Sequence, residues 1–269
     1  MVYKQTNSMN KIFKNFSKMI HNPIMILNHL YYLLTDVRAG EIKKENDNQK
    51  GILSALSNLS RETKILELKE IVKNISEDKD CENLGELFTS HGSDKSTKHN
   101  YHLLYASILK GKRGLPLNIL EIGLGTNNPN LPSSMRGKGV PGASLRAFRE
   151  WGQYFDVYGA DIDKDILFTE NRIKTYFVDQ TNLESLNDLA VQLPTFDLII
   201  DDGLHTPWAN LNTLNFALKL LKPSGYFVVE DIRDIYIPIW KITLSLLPSN
   251  YTYQLIRARK EIMLVIQSK

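Results

Sequence analysis

The chain is poor in several things that would fix a class at once. It has one cysteine, Cys81, in 269 residues. A single thiol excludes an internal disulfide framework and fits a reducing cytoplasm. It has almost no charge bias. The 33 Lys and Arg against 30 Asp and Glu leave +3, spread along the chain, which argues against a nucleic-acid partner. It has no long apolar run. The best candidate, Met19–Leu34, is short for a transmembrane segment and is interrupted by His21, Asn22, Pro23, Asn28 and His29. It also lies late for a secretory signal, with no small-residue cleavage site after it. The stretch reads instead as an amphipathic helix of a core or a dimer, with peripheral membrane contact as the alternative.

What remains is ordinary in bulk and specific in detail. Hydrophobic content of 42% and charged content of 23% are those of a soluble globular protein, long enough for one large α/β domain with an extension. Lys11–Ile20 and Ile24–Val37 read as helices broken near Pro23, and Ala39–Gln49 as a linker. Ile52–Ile75 carries apolar residues at helical spacing, among them Leu56, Leu59, Leu68 and Ile71. Residues 1–83 are therefore read as a helical extension. Its apolar stripe needs a cover, either the following domain or a second subunit in a homodimer.

From Leu84 the pattern changes. Ser90–Tyr101 is dense in hydrogen-bonding groups and reads as a lid over a site, the plainer alternative being a polar loop with an N-cap, and a helix follows over His102–Leu109. Apolar runs predict strands at Leu117–Ile122, Val157–Ala160, Thr175–Val178, Phe196–Ile200 and Tyr226–Val229. Between and after them, helices are expected at Leu145–Trp151, Leu183–Leu193, Trp208–Leu221 and Ile235–Leu247, the first N-capped by Ser144. Tyr251–Arg257 and Ile262–Ile266 read as a closing hairpin. The alternation gives an α/β class with a parallel sheet.

Leu117–Gly125, LNILEIGLG, organises this half: a buried strand, then Glu121, then Gly123 and Gly125. Glycines there let the backbone turn tightly against a ligand. The third glycine of a dinucleotide fingerprint is missing, since Thr126, Asn127 and Asn128 follow. A small cofactor without a pyrophosphate fits better. Four strands in succession end in acid: Asp161, Asp179, Asp201-Asp202 and Glu230-Asp231. In a parallel sheet these ends share one edge, where ligands bind, although a single strand-end acid is as often a helix cap. Asp161 occupies the position of an acid that accepts from ribose hydroxyls. The most specific pattern is Asp201-Asp202-Gly203-Leu204-His205 with Glu230-Asp231. Carboxylates that meet repel unless a cation neutralises them, and hard oxygen ligands select Mg²⁺, with Mn²⁺ and Ca²⁺ as alternatives. Such a cation lowers the pKa of a bound hydroxyl, and His205 would take the proton. The plainer alternatives are capping acids and a packing histidine.

The segments GSDKSTKHNYHLLY, LEIGLG, GASLRAFREW, YGADID, FVDQTN, FDLIIDDGLH and GYFVVEDI, from about Leu84 onward, resemble the class I S-adenosylmethionine-dependent methyltransferases. Within these they are most similar to the macrocin and mycinamicin sugar O-methyltransferases. The resemblance implies a Rossmann-like seven-stranded sheet with a closing antiparallel hairpin over residues 84–269. It implies Glu121, Gly123 and Gly125 along the methionine part of S-adenosyl-L-methionine, Asp161 on the ribose, and Asp179 with Gln180 by the adenine. Ser144 and Asp201 complete the expected cofactor set. Asp202, Glu230 and Asp231 match the family's metal ligands, and His205, with Asp202 beside it, the catalytic base. Lys95, His99, Tyr101 and Arg136 are expected to bind substrate.

The chain is rich in Lys, Asn and Ile, as an AT-rich genome would give, whereas macrolide producers are GC-rich. The expected acceptor is therefore a nucleotide-linked hexose or heptose for a bacterial capsule or surface polysaccharide. Its phosphates would meet Lys95, Lys98, Arg136 and Lys138. Rival readings are a macrolide-type sugar acceptor, an NAD(P)-dependent sugar-modifying enzyme, and a non-enzymatic scaffold. The NAD(P) reading calls for a Tyr-x-x-x-Lys pair, and no tyrosine of the chain has a lysine at that spacing.

Overall fold

The computed structural model describes residues 58, 63–72, 78–137 and 139–269. The expected helices Lys11–Ile20 and Ile24–Val37, the linker and the dimer helices lie outside these. So does Lys138. No helix among the described residues is long and apolar enough to cross a membrane. The chain divides into two compact units. The larger comprises Thr63–Ile237 with Ser249–Lys269, and Pro238–Pro248 falls outside it.

The described elements run in order as β1 (Ile65–Glu67), α1 (Leu68–Ile71), α2 (Lys79–His91), α3 (Tyr101–Ile108), β2 (Asn118–Ile122) and α4 (Ala143–Trp151). There follow β3 (Asp156–Asp161), β4 (Thr169–Glu170), β5 (Ile173–Phe177), α5 (Leu183–Ala190), β6 (Phe196–Asp201) and α6 (Pro207–Leu220). The chain ends with β7 (Leu221–Ile232), α7 (Ile237–Ser245), β8 (Tyr251–Arg257) and β9 (Ile262–Ser268). One sheet has the order β1-β8-β9-β7-β6-β2-β3-β5-β4. The five expected parallel strands and the closing hairpin are all present. Strands β3, β2, β6 and β7 are parallel neighbours, and β9 is antiparallel to both β7 and β8. The sheet winds outward in both directions from β2 and β6, so the topological switch point lies between the ends of these two strands.

The strands are apolar because both faces are covered. Ile119, Leu198, Ile200 and Val228 are fully buried in one core with Leu84, Phe88, Leu145 and Phe148 of the helices. Phe88 and Tyr105 both set their rings edge-on to Phe148, at centroid distances of 5.2 and 5.5 Å.

Several expectations are corrected. The sheet has nine described strands instead of seven, with β1 and β4 added at its margins. Strand β1 falls within Ile52–Ile75, which was expected to be helical. It pairs in parallel with β8, so this short stretch joins the sheet. Asp78 caps helix α2, accepting from the Asp80 N–H at 2.9 Å, and Gly92 ends it at φ +88°. Ser144 does not cap α4. Gly142 holds the cap position, and Ser144 lies inside the first turn.

Cys81 lies on the buried face of α2. Burial, and after it the charge of Asp78, push its thiol up to about 11. Thiol reagents attack only the thiolate, so iodoacetamide should modify Cys81 in the folded protein at least about 100-fold more slowly than in urea. Equal rates measured by mass spectrometry would refute its burial.

Candidate active site

Strand β2 ends at the switch point, and its continuation has almost no room. Gly123 takes φ +96°, and a Cβ there would stand 2.2 Å from the Asp202 carbonyl oxygen. Its N–H donates to Ala160 O at 2.8 Å, while the Asp202 N–H donates to Ile122 O, also at 2.8 Å. The ends of β3, β2 and β6 are thus laced together by main-chain bonds. Beside them opens a cavity of about 250 Å³, lined by Gly123, Gly125, Asp161, Asp179, Gln180 and Asp202 among others.

Asp161 faces this cavity with both oxygens already oriented. One accepts from the Leu124 N–H at 2.7 Å and the other from the Asp163 N–H at 2.9 Å. Burial raises its pKa, and those N–H groups oppose the shift. Gln180 lines the cavity but its side chain is fully engaged. Its Nε2 donates to Asp201 Oδ1 and Thr213 Oγ1, and its Oε1 accepts from the Leu204 N–H. Asp179 Oδ1 accepts from both the N–H and the hydroxyl of Thr181. Apolar walls come from Ile162, Val178 and Leu204, and Pro132 and Ser133 reach in from the insertion after β2.

Beside Asp202 the acids gather. Asp202, His205 and Asp231 bring one ligand atom each to within 4.8 Å of one another. His205 Nε2 lies 3.8 Å from Asp202 Oδ1 and 4.0 Å from Asp231 Oδ2. Each of the three side chains keeps about a quarter of its surface exposed (27%, 27% and 25%), so the group faces outward. His205 and Asp231 both hold left-handed backbones, φ +54° and +57°. Such backbones are uncommon outside glycine and gather at functional sites. At Asp231 the cause is visible: the β7–β9 register shifts between Val229 and Ile232, a bulge that turns Glu230 inward and Asp231 to the rim. Two carboxylates beside an imidazole fit a divalent cation, and His205 Nδ1 is buried without a hydrogen bond.

Behind this outward group lies an inner one. Lys95 is 3% exposed. Its Nζ donates to Asp202 Oδ2 at 2.6 Å and Glu230 Oε2 at 2.5 Å, and lies 3.1 Å from Glu121 Oε1. Burial alone would drive Lys95 neutral, but the charges of Asp202, Glu230 and Glu121 outweigh it and hold its pKa well above the ordinary lysine value. Burial and Asp202 push Glu230 well above the carboxylate range, with Lys95 opposing. Glu121 is raised likewise, burial first. The Tyr105 hydroxyl donates to Glu230, the Tyr101 hydroxyl to Asp231, and the Ser144 hydroxyl to Glu121. His99 stacks on Tyr101 and holds its Nδ1 3.7 Å from Asp231 Oδ1.

The structure therefore sorts the sequence candidates. It unites Asp202, His205 and Asp231, and sets Gly123, Gly125, Asp161, Asp179 and Gln180 around one cavity. It departs elsewhere. Glu230, expected as a metal ligand, faces Lys95 and Tyr105. Lys95, expected to meet substrate, is enclosed by carboxylates. Tyr101 and His99 lie buried on Asp231. Glu121 and Ser144 bond each other behind the cavity wall. Asp201 is fully buried and spent on Gln180 and Asn210. Arg136 stands exposed on the insertion. The expected lid is a wedge, because Lys95 and His99 point inward and Arg259 holds its outer turn, donating from the guanidinium to Thr97 O and from the main-chain N–H to Asn100 Oδ1. Tyr105 was missed, although its place four residues after Tyr101 puts both hydroxyls on one helix face. Ile162 was missed too, an apolar residue directly after a strand-end acid.

No protein-family model matches the chain. Five curated relatives match part of it, among them the two that follow. The 8-demethyl-8-alpha-L-rhamnosyl tetracenomycin-C 2'-O-methyltransferase of Streptomyces olivaceus is 32% identical over 166 residues, which is 61% of this chain and 41% of the relative. The demethylmacrocin O-methyltransferase of Streptomyces fradiae is 30% identical over 127 residues, 47% of this chain and 30% of the relative. The chain thus spans less than half the length of either. Among solved structures, the mycinamycin-pathway methyltransferase MycE in complex with Mg and SAH superposes with a TM-score of 0.55 at 22% identity, covering 70% of this chain and 55% of that one. The fold is thereby that of the class I Rossmann-like methyltransferases.

The main-chain lacing at Gly123 makes a direct prediction. A Cβ meeting the Asp202 carbonyl, on a backbone at φ +96°, should cost Gly123→Ala about 2 kcal/mol or more. A thermal melt should show a loss of about 5 °C or more. An unchanged melting temperature would overturn this account of the switch point.

Proposed function

We propose that the chain is an S-adenosylmethionine-dependent O-methyltransferase that acts on a sugar hydroxyl with the help of a divalent cation, Mg²⁺ being the first choice. The observation that carries this reading is the grouping of His205 with Asp202 and Asp231 beside the Asp161 cavity. The sugar O-methyltransferase relatives support it, as does the presence of Mg and SAH in the MycE structure.

When bound, the cofactor supplies a methyl group on a good leaving group, and the cation supplies the charge that makes the acceptor hydroxyl more acidic. The chain's own residues do the rest. Asp161, oriented by two backbone N–H groups, would accept from the ribose hydroxyls. Ile162, Val178 and Leu204 offer apolar faces to a heteroaromatic ring. Asp202 and Asp231 would hold the cation through the oxygens that face His205. His205 Nε2, about 4 Å from both, is in reach of a hydroxyl held between them and would take its proton as attack proceeds. Alignment of hydroxyl and methyl group is then the main contribution of the protein.

Within the sugar class, we read the acceptor as a nucleotide-linked hexose or heptose of a bacterial surface polysaccharide. The support is the Lys-, Asn- and Ile-rich composition and the exposed Arg136, on the same insertion as the cavity residues Pro132 and Ser133. Lys95 lends none, being spent on three carboxylates, and Lys98 lies on the surface beside Asp94. A glycoside of the polyketide kind is the second reading, favoured by the relatives' names.

Calorimetry should show S-adenosylhomocysteine binding to the protein. His205→Ala should lower turnover by about 100-fold or more while keeping that binding. Near-normal turnover would remove the base from the mechanism. EDTA should abolish activity and Mg²⁺ restore it; full activity in chelator would leave the two acids as substrate binders only. An acceptor panel of nucleotide sugars against macrolide and polyketide glycosides decides between the two acceptors.

A further inference from the structure

Lys95 has no part in the chemistry just described, yet it is the most heavily engaged side chain of the cluster. Its ammonium carries three N–H donors, and three carboxylates surround it. Glu230 has one oxygen on Lys95 and the other on Tyr105, so both face inward. Asp202 has Oδ2 on Lys95 and only Oδ1 turned towards His205. Lys95 therefore splits the acids in two. The inner part is neutralised by a cation of the protein itself. The outer pair, Asp202 Oδ1 and Asp231 Oδ2, is open to a cation from solution.

The geometry points to Lys95 as a resident competitor of the divalent cation, a positioning residue that withholds Glu230 and one oxygen of Asp202 from the metal and keeps its binding weak. This rests on the reading of Asp202 and Asp231 as metal ligands. Two effects act in the same direction. A buried positive charge bonded to a ligand carboxylate repels a divalent ion on that same carboxylate, with little solvent screening. Lys95 also occupies an oxygen of Glu230 that would otherwise be free to turn to the metal. A lysine that merely braced the fold would act the other way, since its loss would loosen the ligands and weaken the metal.

The test measures Mn²⁺ binding alone, by electron paramagnetic resonance of the free ion and by calorimetry, with no turnover involved. Lys95→Met should bind Mn²⁺ at least about tenfold more tightly than the unmodified protein. Lys95→Arg, which keeps the charge, should stay within about threefold. The double variant Lys95→Met/Glu230→Gln should lose most of the gain. Unchanged or weaker Mn²⁺ binding by a Lys95→Met protein that melts cooperatively would overturn the proposal. Should that variant fail to fold, Lys95→Met/Glu121→Gln removes one inner carboxylate along with the lysine and gives the same readout: tighter binding supports the proposal, and equal or weaker binding overturns it. S-adenosylhomocysteine titration of the unmodified protein separates the two levels. No binding there, with the Mn²⁺ pattern intact, would sink the methyltransferase reading and leave the role of Lys95 standing.

Discussion

The ammonium of Lys95 among the carboxylates of Glu121, Asp202 and Glu230 is the interaction on which the rest of the site depends. Glu121 and Glu230 are 0% and 1% exposed. A buried, uncompensated charge costs several kcal/mol, and breaking a buried pair by removing one partner typically costs about 3–5 kcal/mol. The three acids come from the ends of β2, β6 and β7, so one lysine ties together the edges of three neighbouring strands. The polar loop after α2 has to enter the molecule to deliver it. That requirement explains why Gly92 turns the chain sharply after α2, and why Tyr101 and Tyr105 follow with hydroxyls ready for Asp231 and Glu230.

Much of this was legible in the sequence, for identifiable reasons. Parallel strands buried on both faces write themselves as Val/Ile/Leu runs, so the five central strands were readable to within a few residues. Acids at their ends marked the edge where the cavity opens, and the closeness of Asp202, His205 and Asp231 was readable from it. What failed was long-range partner choice. Nothing local distinguishes Lys95 meeting carboxylates from Lys95 meeting a phosphate, because the lysine and its partners lie 26 to 135 residues apart in the chain. Glu230 and Asp231 are adjacent acids that read alike, and only the bulge in β7 separates them. Asp201 looked like a ligand residue because it ends a strand, but its oxygens go to Gln180 and Asn210. Strand β1 was masked by apolar spacing that a short strand and a helix share. Helix α2 carries a local signal of its own: Cys81, Leu84, Gly85 and Phe88 stand at i, i+3, i+4 and i+7 and are its buried residues.

The two left-handed residues of the outer group show how far local conformation depends on its surroundings. A side chain on such a backbone persists only where its surroundings hold it. Asp231 is held by Tyr101 and the bulge, and His205 follows the short Asp202–Gly203–Leu204 turn, in which the Leu204 N–H is bonded to Gln180. The rigid inner cluster and the Gln180 network are thus what hold the outer residues in a conformation their own sequence does not favour.

The margins of the sheet carry a different consequence. Beyond β8 lies β1, three residues long, and beyond β5 lies β4, two residues long. Another extended chain arriving at either margin would find, among the described residues, only this stub of hydrogen-bonding backbone to copy. The long apolar strands that would make good templates for fibrous stacking are all interior. Among the described residues, association of two copies by extending the sheet therefore has only these two short margins to use.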